Sequence, residues 1–202
     1  MTSNISKRLF QLIAVLSLAA FIPALQAGVL NGHGAAFNAV TGTSPFNNGF
    51  GLSGSVDYAV FTAADFNANF AGLGYVPGDA LVYTYQLNVS GTLNASAHIV
   101  GITNPANTIG SFNIGGTSPS SASFTPNARW LFAGSIPTGS SSYGLAFSSP
   151  NEPIFGSAIV LNGGTPAANI IVPTPGLVPE PASLLLLASS LGAIYFSRRT
   201  RL

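Results

Sequence analysis

Cysteine is absent from this chain of 202 residues, and charged side chains make up only 5% of it. Without cysteine there is no disulfide framework and no thiolate nucleophile, so any core is held by packing alone. Charge is scarcest in the middle. Between Gly28 and Pro175 the ionised side chains are Asp57, Asp65, Asp79, Glu152 and Arg129, four acidic against one basic, a net charge of −3. The formal +1 of the whole chain therefore reflects Lys7, Arg8, Arg198, Arg199 and Arg201 at its two ends. A domain with one basic residue lacks the electrostatic footprint that nucleic acid or an anionic membrane surface requires. No G-x-S-x-G elbow, internal repeat or amphipathic helical period of useful length is present either.

What the chain does have sits first at its ends. Lys7 and Arg8 precede an apolar run from Leu9 to Ala24, and Ala24-Leu25-Gln26-Ala27 has the small-residue pattern of a secretory cleavage site. Residues 1–27 are expected to be a signal peptide that enters the Sec translocon. No cysteine follows the cut, so lipoprotein processing is excluded. At the other end, Pro179 and Pro181 fix φ and bias their neighbours away from helix, which presents Glu180 on a rigid extended stub. An uncharged run from Ala182 to Phe196 follows, with small residues Ala188, Ser189, Ser190 and Gly192 suited to a membrane helix. Its roughly 16 residues reach about 24 Å, short of a ~30 Å hydrocarbon core, and snorkelling arginines make up part of the gap. A transmembrane helix is expected over residues 182–197, with Arg198, Arg199 and Arg201 as a cytoplasmic stop and the body across the membrane.

Pro179-Glu180-Pro181, a short apolar helix and a terminal arginine cluster together resemble the PEP-CTERM sorting signal of Gram-negative bacteria. The resemblance covers about an eighth of the chain, and the order of the three parts is more specific than any one of them. It implies that Pro179, Glu180 and Pro181 are the recognition motif and that the partner is an exosortase, a membrane-embedded transpeptidase-like enzyme. It further implies a setting in which exopolysaccharide is made.

The body reads as all-β. Val56 to Thr62 is β-branched and aromatic, Ala63 to Phe70 suits a short helical turn, and Pro77-Gly78-Asp79 signals a turn. Leu81, Tyr83, Tyr85, Leu87 and Val89 alternate with Val82, Thr84, Gln86, Asn88 and Ser90, which predicts a strand with one face on a core and the other wet. Further strands are expected over Ala95 to Gly101, Ser111 to Ile114, Ala122 to Thr125, Arg129 to Ala133, Tyr143 to Phe147, Ala158 to Leu161 and Ile170 to Val172. Gly28 to Ser55 reads as an irregular opening with at most a couple of short strands. Short, evenly spaced strands separated by Gly/Pro/Ser/Asn clusters predict an antiparallel β-sandwich, Ig-like or jelly-roll-like, over residues 28–172. Residues 173–178 are expected to form a stiff linker, and 179–202 the sorting signal.

Candidate chemistry is sparse. Gly49 to Gly54 matches G-x-G-x-x-G, but a loop precedes it and a strand follows, the wrong context for a dinucleotide. Asp65, Asn67 and Asn69 have calcium-loop spacing, yet Phe70 and Val76 stand where Gly and Glu are needed, so no metal is expected. His33 and His98 are far apart in sequence, and His98, opposite Ala97 and Ile99, is expected on an exposed strand face. Glycoside hydrolysis needs two facing carboxylates, and nothing marks a pair among the four. Trp130 and Tyr75 are the aromatic residues on which a sugar could stack; a lone strand Trp is more often core. Two sequons, at Asn88 and Asn94, fit coincidence in an Asn/Ser-rich chain. The expectation is an exported protein without catalytic activity or cofactor, anchored in the inner membrane before processing and then at the cell surface or in a biofilm matrix. The alternative is a module that binds matrix polysaccharide.

Overall fold

The computed structural model describes residues 30, 36–102, 107–124 and 127–176. Ten strands form two antiparallel sheets among them. The first sheet holds β1 (Thr41–Asn47), β2 (Ser53–Thr62), β3 (Leu81–Val89), β8 (Gly144–Ser149) and β5 (Thr108–Phe112), in that spatial order. The second holds β10 (Ala167–Pro175), β9 (Pro153–Leu161), β4 (Ala95–Val100), β7 (Ala128–Ile136) and β6 (Ser121–Phe124). One helix, α1 (Ala63–Phe70), follows β2 directly.

The period-2 face of β3 organises the core. Leu81, Tyr83, Tyr85, Leu87 and Val89 all point between the sheets, where they meet Val56, Val60, Leu145 and Phe147 of the first sheet and Val100, Trp130, Ile136, Val160 and Val172 of the second. Each buried side chain of this size is worth about 1.5–3 kcal/mol of transfer free energy, which explains how a domain without disulfides holds together. Aromatic residues carry polar groups across the gap. Tyr85 Oη on β3 donates to the Pro173 carbonyl on β10, and Tyr83 Oη to the Asn151 carbonyl at 2.7 Å.

The opposite face of β3 is not wet. Val82, Thr84 and Gln86 are buried: Val82 packs in the cluster under α1, Thr84 Oγ1 donates to the Ala59 carbonyl and Gln86 Nε2 to the Ser142 carbonyl. Phe66 and Phe70, four residues apart and so on one side of α1, pack with Phe61, Tyr75 and Phe112. Phe66 meets Tyr75 and Phe112 edge-on, with centroids at 5.6 and 5.1 Å, the arrangement that ring quadrupoles favour. Thr62 caps the helix: its hydroxyl oxygen accepts from Asp65 N–H at 3.1 Å and its own O–H donates to Asp65 Oδ2 at 2.6 Å.

Several strand boundaries differ from the sequence expectation, and β7, β9 and β10 all run longer than expected. β1 is one of the couple of short strands expected within the opening segment; Pro45 sits within it, tolerated because β1 is an edge strand. Residues 108–112, rather than 111–114, form β5. Most consequentially, residues 173–175 are no linker. Pro173 and Pro175 belong to β10, another edge strand, and Gly176 N–H still donates to the Glu152 carbonyl at 2.8 Å. The sandwich therefore extends at least to residue 176, beyond the expected boundary at 172.

β10 packs along β1 as well as pairing with β9. The Ser44 hydroxyl donates to the Ile171 carbonyl, and Asn48 Nδ2 to the Thr165 carbonyl at 2.8 Å. The start of β1 and the end of β10 thus lie at the same end of the sandwich.

Candidate functional site

The site with most to say about function is the end from which the chain leaves the sandwich. β10 and β9 pair in register from Ile170 opposite Ala158 to Pro175 opposite Pro153. β4 pairs with β9 only from Ala158 to Leu161, and Gly101 N–H adds a last bond to the Ser157 carbonyl. Residues 153–156 of β9 consequently have β10 on one side and no described strand on the other. Ile154 and Phe155 are 51% and 59% exposed there. Tyr58 meets the Phe155 ring edge-on at 6.1 Å, and Glu152 is solvent-facing.

The chain beyond Gly176 is where the sequence places its recognition motif. Residues 177–199 match the family model of the PEP-CTERM protein-sorting motif. The chain carries a PEP-CTERM sorting signal. That signal supports an exported protein, held at the membrane before processing and sorted by an exosortase. Comparison of the chain with curated proteins and with solved structures finds no match. Pro179, Glu180, Pro181, Arg198, Arg199, Arg201 and the expected helix over 182–197 lie outside the described residues, as does the expected signal peptide. No helix among the described residues is long and apolar enough to cross a membrane.

The expected sugar-stacking residues are not surface platforms. Trp130 is 0% exposed: its indole lies between the sheets and Nε1 donates to the Gly110 carbonyl of β5 at 2.7 Å. Tyr75 is 6% exposed, its ring under α1 and its hydroxyl within 2.8 Å of Thr108 Oγ1. Burial raises the Tyr75 phenol's pKa above its ordinary value. Neither ring offers a face to a sugar, and both positions serve packing.

His98 is corrected likewise. It is 0% exposed, stacked on Trp130 at 5.9 Å and 19° and edge-on to Tyr85 at 5.7 Å. The extra residues of the β4–β7 register shift lie on β7, between Leu131 and Ile136; β4 pairs regularly with β9 from Ala97 to Val100, and His98 shares the inward face with Val100. The sequence reading had taken Ala97 and Ile99 for that face. Neither ring nitrogen has a well-formed hydrogen bond among the described residues. Desolvation lowers the pKa of His98 to about 3, and the Ile159 backbone offsets little of this. The ring is neutral at physiological pH. His33 lies outside the described residues.

The carboxylates occupy separate settings. Asp57 is buried on the outer face of β2, accepting from Thr43 Oγ1 at 2.6 Å and Asn88 Nδ2 at 2.9 Å. Asp65 belongs to the cap of α1. Asp79 accepts from Asn107 Nδ2 at 2.8 Å, and Glu152 stands in the turn between β8 and β9. No group of three or more metal-ligating side chains forms among the described residues. The G-x-G-x-x-G stretch is the hairpin loop between β1 and β2, with Gly49 and Gly51 at positive φ, and a strand follows it. The Asn88 amide of the first sequon is occupied, donating to Asp57 and accepting from Ser141 Oγ at 2.6 Å.

Proposed function

We propose that this chain is a non-enzymatic protein of the cell surface or extracellular matrix, delivered there by two topogenic ends and associated with exopolysaccharide. Residues 1–27 open Sec-dependent translocation, the helix over 182–197 halts it, and the arginines hold the stop on the cytoplasmic side. An exosortase then acts near Pro179-Glu180-Pro181, and the sandwich is released or transferred. The observation that carries this reading is the sorting match over residues 177–199, which begins immediately after Gly176, the last of the described residues. The charge-poor body, with Arg129 as its one basic side chain, suits a crowded neutral polymer. Carbohydrate recognition through Trp130 or Tyr75 is not part of the proposal, because both rings are enclosed.

The test is mass spectrometry of the mature protein from cells with and without the sorting enzyme, for the parent chain, for Glu180→Ala and for a chain lacking Arg198, Arg199 and Arg201. Both variants should accumulate as full-length precursor with the sandwich folded. A mature fragment of unchanged mass and location in both would refute the proposal.

A further inference from the structure

The two ends of the sandwich differ in charge. Apart from Asp57, buried on β2, the charged residues gather toward the end where β10 finishes: Asp65 at the start of α1, Asp79 before β3, Glu152 between β8 and β9, and Arg129 near the start of β7. The opposite end is built from the loops 48–52, 90–94, 113–120, 137–143 and 162–166, all of them among the described residues and without a charged side chain. Hydrogen bonds join these loops. Asn48 Nδ2 donates to the Thr165 carbonyl, Thr92 N–H to the Gly51 carbonyl and Thr117 N–H to the Ser141 carbonyl, each at 2.8 Å.

Phe50 stands out from this end, 72% exposed. Its loop holds it there. Asn48 Oδ1 accepts from the N–H groups of Phe50 and Leu52 at 2.8 and 3.0 Å, and Asn47 Oδ1 from Gly49 N–H at 2.7 Å. Gly49 and Gly51 take positive φ on either side of the ring, and a Cβ at Gly51 would lie 2.5 Å from Thr92 Oγ1 and 3.3 Å from Leu93 Cγ. Thr92 and Leu93, both exposed, are therefore packed against the residue next to Phe50.

We propose that Phe50, flanked by Thr92, Leu93 and Asn94, is a stacking platform for a neutral polysaccharide. The site deepens the polymer association proposed above and rests on it. The apolar C–H face of a sugar ring packs on a phenyl face, while its hydroxyls bond amide and hydroxyl groups that carry no charge. Asn94 Oδ1 accepts from Thr138 N–H at 3.3 Å, which leaves the Asn94 amide N–H groups as donors near the Thr92 hydroxyl. Other occupants fit this end less well. Nucleic acid and acidic polymers find no cation in any of the five loops. The anchoring bilayer belongs to the other end: β10 begins at Ala167, beside the Asn48–Thr165 bond, and its nine residues carry the chain about 27 Å away before the sorting signal starts. A protein partner or a second copy needs roughly 1,200 Å² of buried surface, far more than Phe50 and Leu93 offer. One aromatic face matches one sugar ring.

The experiment is affinity electrophoresis of the full chain in mild detergent, with the neutral fraction of the producing cells' secreted polysaccharide, galactomannan or alginate cast in the gel. At least one neutral polymer should retard the parent more than alginate does, and Phe50→Ala should weaken that binding by about fivefold or more. Phe50→Trp should retain it, and the emission of its exposed indole should shift to the blue as the retarding polymer is added. Both substitutions fall on an exposed side chain, so the urea midpoint should match the parent's. Absence of retardation by either neutral polymer, alginate binding as strong as theirs, or equal retardation of Phe50→Ala overturns the platform. Glu180→Ala should bind like the parent while accumulating as precursor in cells. Normal maturation of Glu180→Ala refutes the sorting reading and leaves the platform to be decided by Phe50→Ala alone.

Discussion

Trp130 Nε1 and the Gly110 carbonyl oxygen, 2.7 Å apart, join the second sheet to the first through the middle of the core. The indole is in ring contact with His98, Tyr85 and Phe147, so one side chain ties four strands to its own. Trp130→Phe keeps most of the apolar contact but leaves the Gly110 carbonyl without this donor. The expected cost is about 1–3 kcal/mol, read as a lower urea midpoint with unchanged slope. Tryptophan emission of the parent should be blue-shifted and indifferent to added polysaccharide, since the ring meets no solvent.

His98 makes the fold acid-sensitive. Its folded-state pKa of about 3 lies below the ordinary 6.5, so the unfolded chain takes up the proton first as pH falls. Stability from this group is complete above about pH 6.5 and declines through the interval down to about pH 3, by up to about 1.4 kcal/mol per pH unit. His98→Leu should flatten that decline. Urea midpoints at pH 7 and pH 4 for the two chains measure it, and equal slopes would contradict the assignment.

Gly144 has no room for a side chain. A Cβ placed there would lie 2.3 Å from Phe112 Cζ, in the cluster beneath α1. Gly144→Ala should destabilise by about 1–3 kcal/mol through displacement of that ring. Pairing it with Phe112→Leu, which makes room, should recover part of the loss in a double-mutant cycle.

Thr62→Ala removes the cap of α1 and both of its bonds with Asp65. The expected loss is about 1 kcal/mol. Hydrogen exchange should show it first in Ala63–Phe70, since β3 is held independently by β2 and β8.

Much of the architecture was legible where a single physical signal was strong. The alternation through Leu81–Val89 identified the central strand and its inward face, and Ala63–Phe70 was recognisable as helical. Readings failed where a long-range partner decided the outcome. Thr84 and Gln86 look like solvent-facing residues, yet both are buried on the outer face of the first sheet, bonded to the Ala59 and Ser142 carbonyls. His98 looks exposed if the apolar Ala97 and Ile99 are given the inward face, and only the packing against Trp130 and Tyr85 shows that His98 and Val100 hold it. Prolines suggested a linker at 173–178, yet an edge strand accommodates Pro173 and Pro175 because half its backbone groups need no ladder partner. The sorting motif was readable because its information is local: order and spacing suffice. No comparable local pattern marks a ligand site in the body.

Because β10 is the last of the described strands, the sandwich stays incomplete until residues 167–175 are in place. Before residues 167–175 emerge, Tyr85 lacks its acceptor at Pro173, and the space that Ile170 and Val172 fill is open to water. Until β10 joins the second sheet, whatever accompanies the chain must shield an unfinished aromatic interior.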